Sequence, residues 1–193
     1  MRLLLIGAPG AGKGTQAGRI ADHFALAHIS SGDLLRHHVA TGTPIGQRAQ
    51  AFMDRGELVP SSIVLDMLRK PVLAAARDGG YVLDGFPRTV EQAQQAYGVA
   101  RELGVAVQVA VHLAVPREAL LARIVARGLT SGRSDDDPEV LEHRLDVYER
   151  HTRPLLDYYR ERERLLTVNG DRPLAEVTWS VLVQLQRAKK LLR

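Results

Sequence analysis

Nine consecutive residues, Gly7-Ala8-Pro9-Gly10-Ala11-Gly12-Lys13-Gly14-Thr15, constrain this chain more than any other segment. They match G-x-x-x-x-G-K, directly follow the apolar run Leu3 to Ile6, and open a stretch, Lys13 to Phe24, whose pattern is helical. A strand, a glycine-rich turn and a helix in that order form an anion cradle. The glycines let several backbone N–H groups turn toward one point, and the helix N-terminus adds partial positive charge. Lys13 supplies a full charge suited to β- and γ-phosphates. Gly10, Ala11, Gly12, Lys13, Gly14 and Thr15 are therefore the candidate triphosphate contacts. The residue after the lysine is Gly14 where Ser or Thr is usual, with Thr15 one place later, so a hydroxyl directly on a metal is in doubt.

The rest of the chain continues the alternation. Tyr81-Val82-Leu83-Asp84, the valine-rich Val107 to Val115 and Leu165 to Val168 read as strands. Helices are read from the capping pair Ser30-Ser31 to about Ala40, from Thr43-Pro44 to near Gly56, from Pro60-Ser61 through Ala76, from Thr89 to Leu103, from Pro116 to Arg127, from Asp137-Pro138 onward and from Pro173 to about Leu192. A kink or break is expected at Pro71 and another at Pro154. Gly128 to Asp136 reads as a short polar loop. Strands alternating with helices predict an α/β fold with a parallel sheet and right-handed crossovers. Residues 30–59 hold two helices and no strand, so they read as an insertion outside the sheet.

Composition narrows the function classes. With no cysteine among 193 residues, disulfides, thiolate zinc sites and cysteine nucleophiles are excluded. No apolar run approaches the ~20 residues of a membrane span, and a cytoplasmic location is the default expectation. Net charge is +4, from 26 Lys+Arg against 22 Asp+Glu. That surplus suits a polyphosphate. Nucleic acid is the other partner such a balance suggests, but arginines are scattered and aromatics few, so no stacking platform is evident. The seven histidines show no metal spacing. Phe52 and Trp179 read as ordinary packing residues, and Met53 and Phe86 as packing residues that can also line a pocket.

Three further segments extend the signal: Ser30-Ser31-Gly32-Asp33-Leu34-Leu35-Arg36, Gly56-Glu57-Leu58-Val59-Pro60, and Leu83-Asp84-Gly85-Phe86-Pro87-Arg88-Thr89 with Gln92. In this order and spacing they resemble the adenylate kinases, within the nucleoside-monophosphate kinases. The resemblance implies a P-loop fold with a five-stranded parallel sheet and two mobile parts. Residues 1–29, 60–126 and 138–193 would form the core, 30–59 the AMP-binding part, and 127–137 a short lid without zinc. It implies a monomer acting on ATP, AMP and ADP, with no nucleic acid or membrane as partner. It also implies that Ser31, Arg36, the backbone of Glu57, Leu58 and Val59, then Gly85, Phe86, Pro87, Arg88 and Gln92 hold AMP. Gln92 is expected to read the adenine edge, because an amide offers donor and acceptor together. Arg123 is expected near the ATP base and phosphates, Arg127 on ATP phosphate, and the backbone of Gly170 and Arg172 at the ATP adenine.

The chemistry calls for positioning and charge neutralisation. The acceptor is a phosphate monoester with a second pKa near ~6, so it needs no general base. Two nucleotides bring together roughly six negative charges, of which Mg²⁺ cancels two. Lys13, Arg36, Arg88, Arg123, Arg127, Arg133 and Arg144 are the cations available. Arg123 and Arg127 lie one turn apart on one helix face. Asp84, ending an apolar strand, is the expected Mg²⁺ organiser through water, with Asp33 a second candidate. Closure over the substrates is expected to exclude water, with hinges near Ser30, Val59 and both ends of 127–137. Kinases for UMP, CMP or GMP, a regulatory ATPase and a nucleic-acid-binding protein are the competing readings. Ser31 and Gln92 argue against the first, and the Asp84 to Arg88 segment is unexplained by the second.

Overall fold

The computed structural model describes residues 1–131, 138–162 and 164–191. Its chain order is β1 (Arg2–Ile6), α1 (Lys13–Phe24), β2 (Ala27–Ser30), α2 (Ser31–Ala40), α3 (Pro44–Asp54), α4 (Ser61–Arg77), β3 (Tyr81–Asp84) and α5 (Val90–Glu102). There follow β4 (Val109–Ala114), α6 (Arg117–Ser131), α7 (Pro138–Val147), a π-helical turn (Tyr148–Thr152), α8 (Leu155–Arg162), β5 (Arg164–Asn169) and α9 (Leu174–Leu191).

All five strands are parallel, in the order β2-β3-β1-β4-β5. β1 explains why its sequence is apolar at every position. Leu3 and Leu5 face the layer of α1 and α9, with Ala17, Ile20, Val181 and Leu185. Leu4 faces the opposite layer, where Ile63, Val64, Met67 and Leu68 of α4 pack with Leu155, Tyr158 and Tyr159 of α8. A strand covered on both faces cannot alternate with polar residues. Each leucine so buried contributes roughly 1.5–3 kcal/mol.

The chain leaves β1 for β2 and β3 on one side, then crosses to β4 and β5 on the other. The carboxyl end of β1 is thus the point where the sheet order reverses, the usual place for a ligand crevice in such sheets. Register puts Leu5, Asp84 and Ser30 level with one another at that edge.

Three expectations require correction. A fifth strand, β2, stands where none was read. Of its four residues only Ile29 is buried, and it pairs with β3 alone as an edge strand, so it carries little periodic signal. α4 runs unbroken through Pro71, because the apolar side chains before it and Ala75 after it are buried against one layer and hold a single helix despite the lost bond. α6 continues to Ser131, so residues 128–131 are helical where a loop was expected. The remainder of that loop, 132–137, lies outside the described residues. Pro154 does separate α8 from the preceding π turn, as expected.

Candidate active site

The glycine loop leaves β1 and turns into α1 through two residues in the left-handed region, Gly10 at φ 81° and Gly12 at φ 85°. A Cβ on Gly10 would also lie 2.6 Å from Ile124 Cγ1, so this position is closed to any side chain. No side chain caps α1, which leaves its first-turn N–H groups facing the crevice. Lys13 lies across the loop, its Nζ donating to the carbonyls of Gly7 at 2.8 Å and Ala8 at 3.0 Å. Gly14 and Thr15 are exposed at the mouth.

Across the crevice a cleft is lined by Ser31, Arg36, Glu57, Val59, Gly85, Phe86 and Gln92. Met53 also lines it, as expected. Local rules build its walls. Ser30 caps α2 by accepting from the Asp33 N–H at 3.2 Å, which places Ser31 at the helix mouth. Thr89 caps α5 by accepting from the Gln92 N–H at 3.1 Å. Gly85, at φ 85°, brings its backbone so near Ser31 that an added Cβ would lie 2.6 Å from Ser31 Oγ. The Phe86–Pro87 peptide is cis.

Arg88 is held from three directions. Its N–H donates to Gln92 Oε1 at 2.8 Å, its Nε donates to the Gly85 carbonyl at 2.7 Å, and its own carbonyl accepts from Thr152 Oγ1 at 2.8 Å. Gln92 is buried with one acceptor lone pair already used, and lines the cleft together with Ser31.

A second cleft connects the glycine loop to the first. Gly7, Pro9 and Lys13 line it on one side, Pro87, Tyr148 and Thr152 on the other, and Gly56, Leu58, Gly85, Arg88 and Arg144 belong to both clefts. Arg88 and Arg144 are thus gathered where the two spaces meet, and Lys13 lines the second cleft with them. Arg36 lines the acceptor cleft only, and its guanidinium pairs with the Asp33 carboxylate. The Asp33 side chain is 60% exposed.

Asp84 is different. It is buried, Gly14 lies beside its Oδ2, and its Oδ1 has no hydrogen-bond partner among the described residues. A buried carboxylate oxygen without a donor, beside a phosphate cradle, fits a hydrated divalent cation. Among the described residues no group of three or more His, Asp or Glu could form a protein cage for one.

The remaining candidates divide. Arg123 donates to the Gly170 carbonyl at 3.0 Å and pairs with Asp171 at 3.2 Å, so these residues do meet at the β5–α9 turn. Gly170 is buried, and its N–H donates to the Ala114 carbonyl at 2.7 Å. Arg172 instead pairs with Glu176 at 3.7 Å and is 59% exposed, away from both clefts. Arg127 falls within α6, and Arg133 lies outside the described residues. Trp179 is corrected from a packing residue to an exposed one, at 69%.

Sequence reasoning missed Thr152 and the dual role of Gly56. A Cβ on Gly56 would come within 3.0 Å of Val140 Cγ1 and Arg144 Cγ, so the 30–59 segment packs directly on α7. Only the Gly56 signal, a glycine ahead of Glu57-Leu58-Val59, was visible in the sequence. Behind the site, Tyr148 Oη and His112 Nε2 are 3.4 Å apart. Burial pushes the Tyr148 phenol up to about 12, and burial followed by the nearby Arg153 charge lowers His112. Both are neutral at pH 7.

Comparison with known proteins adds an independent line. The family described as adenylate kinase matches residues 5–164. A Synechococcus adenylate kinase is 46% identical over 177 residues, covering 91% of this chain and 91% of the relative. One from Cyanothece is 42% identical over 177 residues, covering 92% and 91%. One from Stenotrophomonas maltophilia is 41% identical over 186 residues, covering 96% and 100%.

Proposed function

The chain belongs to the adenylate kinase family, and from that premise we propose that it transfers the terminal phosphoryl group of Mg-ATP to AMP, reversibly, giving two ADP. ATP occupies the glycine loop, with Arg123 and Gly170 toward its base. AMP occupies the cleft of Ser31, Arg36, Gly85 and Gln92. One observation carries this division: the two clefts are separate at their ends yet share Arg88 and Arg144 where they meet.

Transfer is direct. The AMP phosphate is already largely dianionic at neutral pH and attacks in line, so no side chain need remove a proton. Lys13 and the α1 N–H groups hold the β- and γ-phosphates, while Arg36 and Arg88 hold the acceptor. Arg144 lies between, where charge density peaks during transfer. Arg127 and Arg133 are proposed to close the clamp from the lid side. Arg172 is proposed to meet the ATP base through its backbone, its side chain pairing with Glu176. The charge that Mg²⁺ would supply on binding would offset two of the phosphate charges. Asp84 would hold the ion through water, and Asp33 would join only on releasing Arg36.

Residues 30–59 and 127–137 are proposed to move against the core, closing on the paired substrates so that water cannot accept the phosphoryl group. We place the enzyme in the cytoplasm as a monomer. Among the described residues no helix is long and apolar enough to cross a membrane.

The test is ADP formation from Mg-ATP with AMP, GMP, CMP or UMP, alongside a control without acceptor. Turnover confined to AMP is expected. Equal turnover with a pyrimidine monophosphate would sink the assignment of Gln92, and phosphate release indifferent to any acceptor would sink the kinase reading.

A further inference from the structure

We propose that Thr152 is a positioning residue that registers the Arg88 loop against the helix bearing Arg144, so that the two guanidinium groups act on the phosphates as one unit. The inference rests on the assignment of Arg88 and Arg144 to the phosphates and adds a part to it.

Thr152 is buried, and its hydroxyl donates at 2.8 Å to the Arg88 carbonyl, 64 residues away in the chain. It ties Arg88 to the continuation of α7, whereas the bonds to Gly85 and Gln92 reach only three and four residues along the chain. Thr152 also lines the joining cleft with Arg88, Arg144 and Tyr148, so the bond sits at the wall of the transfer space.

The π turn explains how the hydroxyl arrives there. On a regular helix, residues eight apart diverge by about 80° around the axis, at 3.6 residues per turn. Arg144 and Thr152 would then face different ways. The chain instead winds through Tyr148–Thr152 with the Arg153 N–H bonded to the Tyr148 carbonyl at 2.9 Å, five residues back. The wider turn swings Thr152 back toward the Arg144 side, and both line one cleft. A wide turn is less favourable than continued α-helix, and here it delivers a buried hydroxyl to the Arg88 carbonyl.

The alternative role is stability alone, since a buried carbonyl needs a donor wherever it lies. The two roles differ in what they change. Loss of registry leaves ATP binding at the glycine loop intact and slows transfer.

The experiment uses the full chain carrying Thr152→Val, Thr152→Ser or Arg88→Lys, with kcat and both KM values measured below the melting temperature of each. The valine, which lacks the donor, is expected to lower kcat about tenfold or more with the KM for ATP within about twofold, and the serine to keep kcat within about threefold. Valine activity within about twofold of the parent overturns the proposal, as does a serine variant as slow as the valine, or a loss confined to the KM for ATP. If the valine variant does not fold, Thr152→Ala is judged by the same criteria. Arg88→Lys separates the two levels. If it leaves kcat unchanged, the phosphate assignment itself fails and takes the registry with it. A slow Arg88→Lys beside a fast Thr152→Val removes the registry alone.

Discussion

The Gln92 amide shows how much one buried side chain can be asked to do. Its Oε1 accepts from the Arg88 N–H, which steadies that arginine, while its Nε2 is the donor proposed to read the base. Gln92→Glu separates these tasks, because the carboxylate still accepts from Arg88 but cannot donate to an adenine ring nitrogen. The expected result is a rise of about tenfold or more in the KM for AMP, with the KM for ATP unchanged, since a lost donor inside a buried site costs about 1–3 kcal/mol. Steady-state kinetics with each substrate varied checks this, and equal effects on both substrates would refute the base-reading role. Gly10 gives a companion prediction on the ATP side. Its φ of 81° and the 2.6 Å approach to Ile124 leave no room for a methyl group. Gly10→Ala should therefore weaken ATP binding by at least about tenfold and leave AMP binding intact, as read by fluorescence titration with a nucleotide analogue.

Elements decide how those residues are presented. α2 and α3 meet at Gly46, where a Cβ would fall 2.1 Å from the His38 carbonyl oxygen, a contact that only backbone displacement can relieve. Thr43 caps α3 from the same corner, its Oγ1 accepting from the Gly46 N–H at 3.2 Å. Gly46→Ala should loosen this helix pair by roughly 1–3 kcal/mol. Hydrogen exchange should quicken in α2 and α3 while β1 and β4 stay protected, and the KM for AMP should rise. Uniform quickening across the sheet would show that residues 30–59 are not a separable part. The same scale explains two departures from the sequence reading. β2 is an edge strand with one buried residue, so the β period had almost nothing to act on. α6 overran its expected end because Gly128 is only a weak stop inside an otherwise helical run.

At the scale of the whole molecule, pH and closure give the tests. His112 is half-buried on β4, next to the Tyr148 hydroxyl, with Arg153 its nearby cation. Its pKa is lowered in the folded state, so near pH 6 the unfolded chain binds more protons than the native one. Stability should therefore fall as pH drops from about 6.5 through the folded value, and be unaffected well above 6.5. His112→Asn should flatten that acid-side slope in a plot of Tm against pH, and an unchanged slope would remove His112 as its cause. For closure, spin labels at the exposed Gln50 and Arg187 should report one shorter, narrower distance when a bisubstrate analogue is added. An unchanged distribution would mean that 30–59 does not move against the core.

The glycine loop, the strand alternation and the ordered segments from Ser30 to Gln92 were legible because each is local: glycine angles, helix caps and two-faced burial act over a few residues. From them the sequence alone determined the α/β class, the parallel sheet, the phosphate cradle and the family. What it could not determine depends on residues far apart in the chain. That Arg88 and Arg144 share a wall, that the Arg36 guanidinium pairs with Asp33 while Asp84 Oδ1 has no donor among the described residues, and that the Arg172 side chain faces solvent all follow from how the layers pack. Thr152 is the clearest case. A lone threonine in a helical stretch carries no signal, and only the π turn and the chain reversal at the sheet's switch point bring its hydroxyl to Arg88.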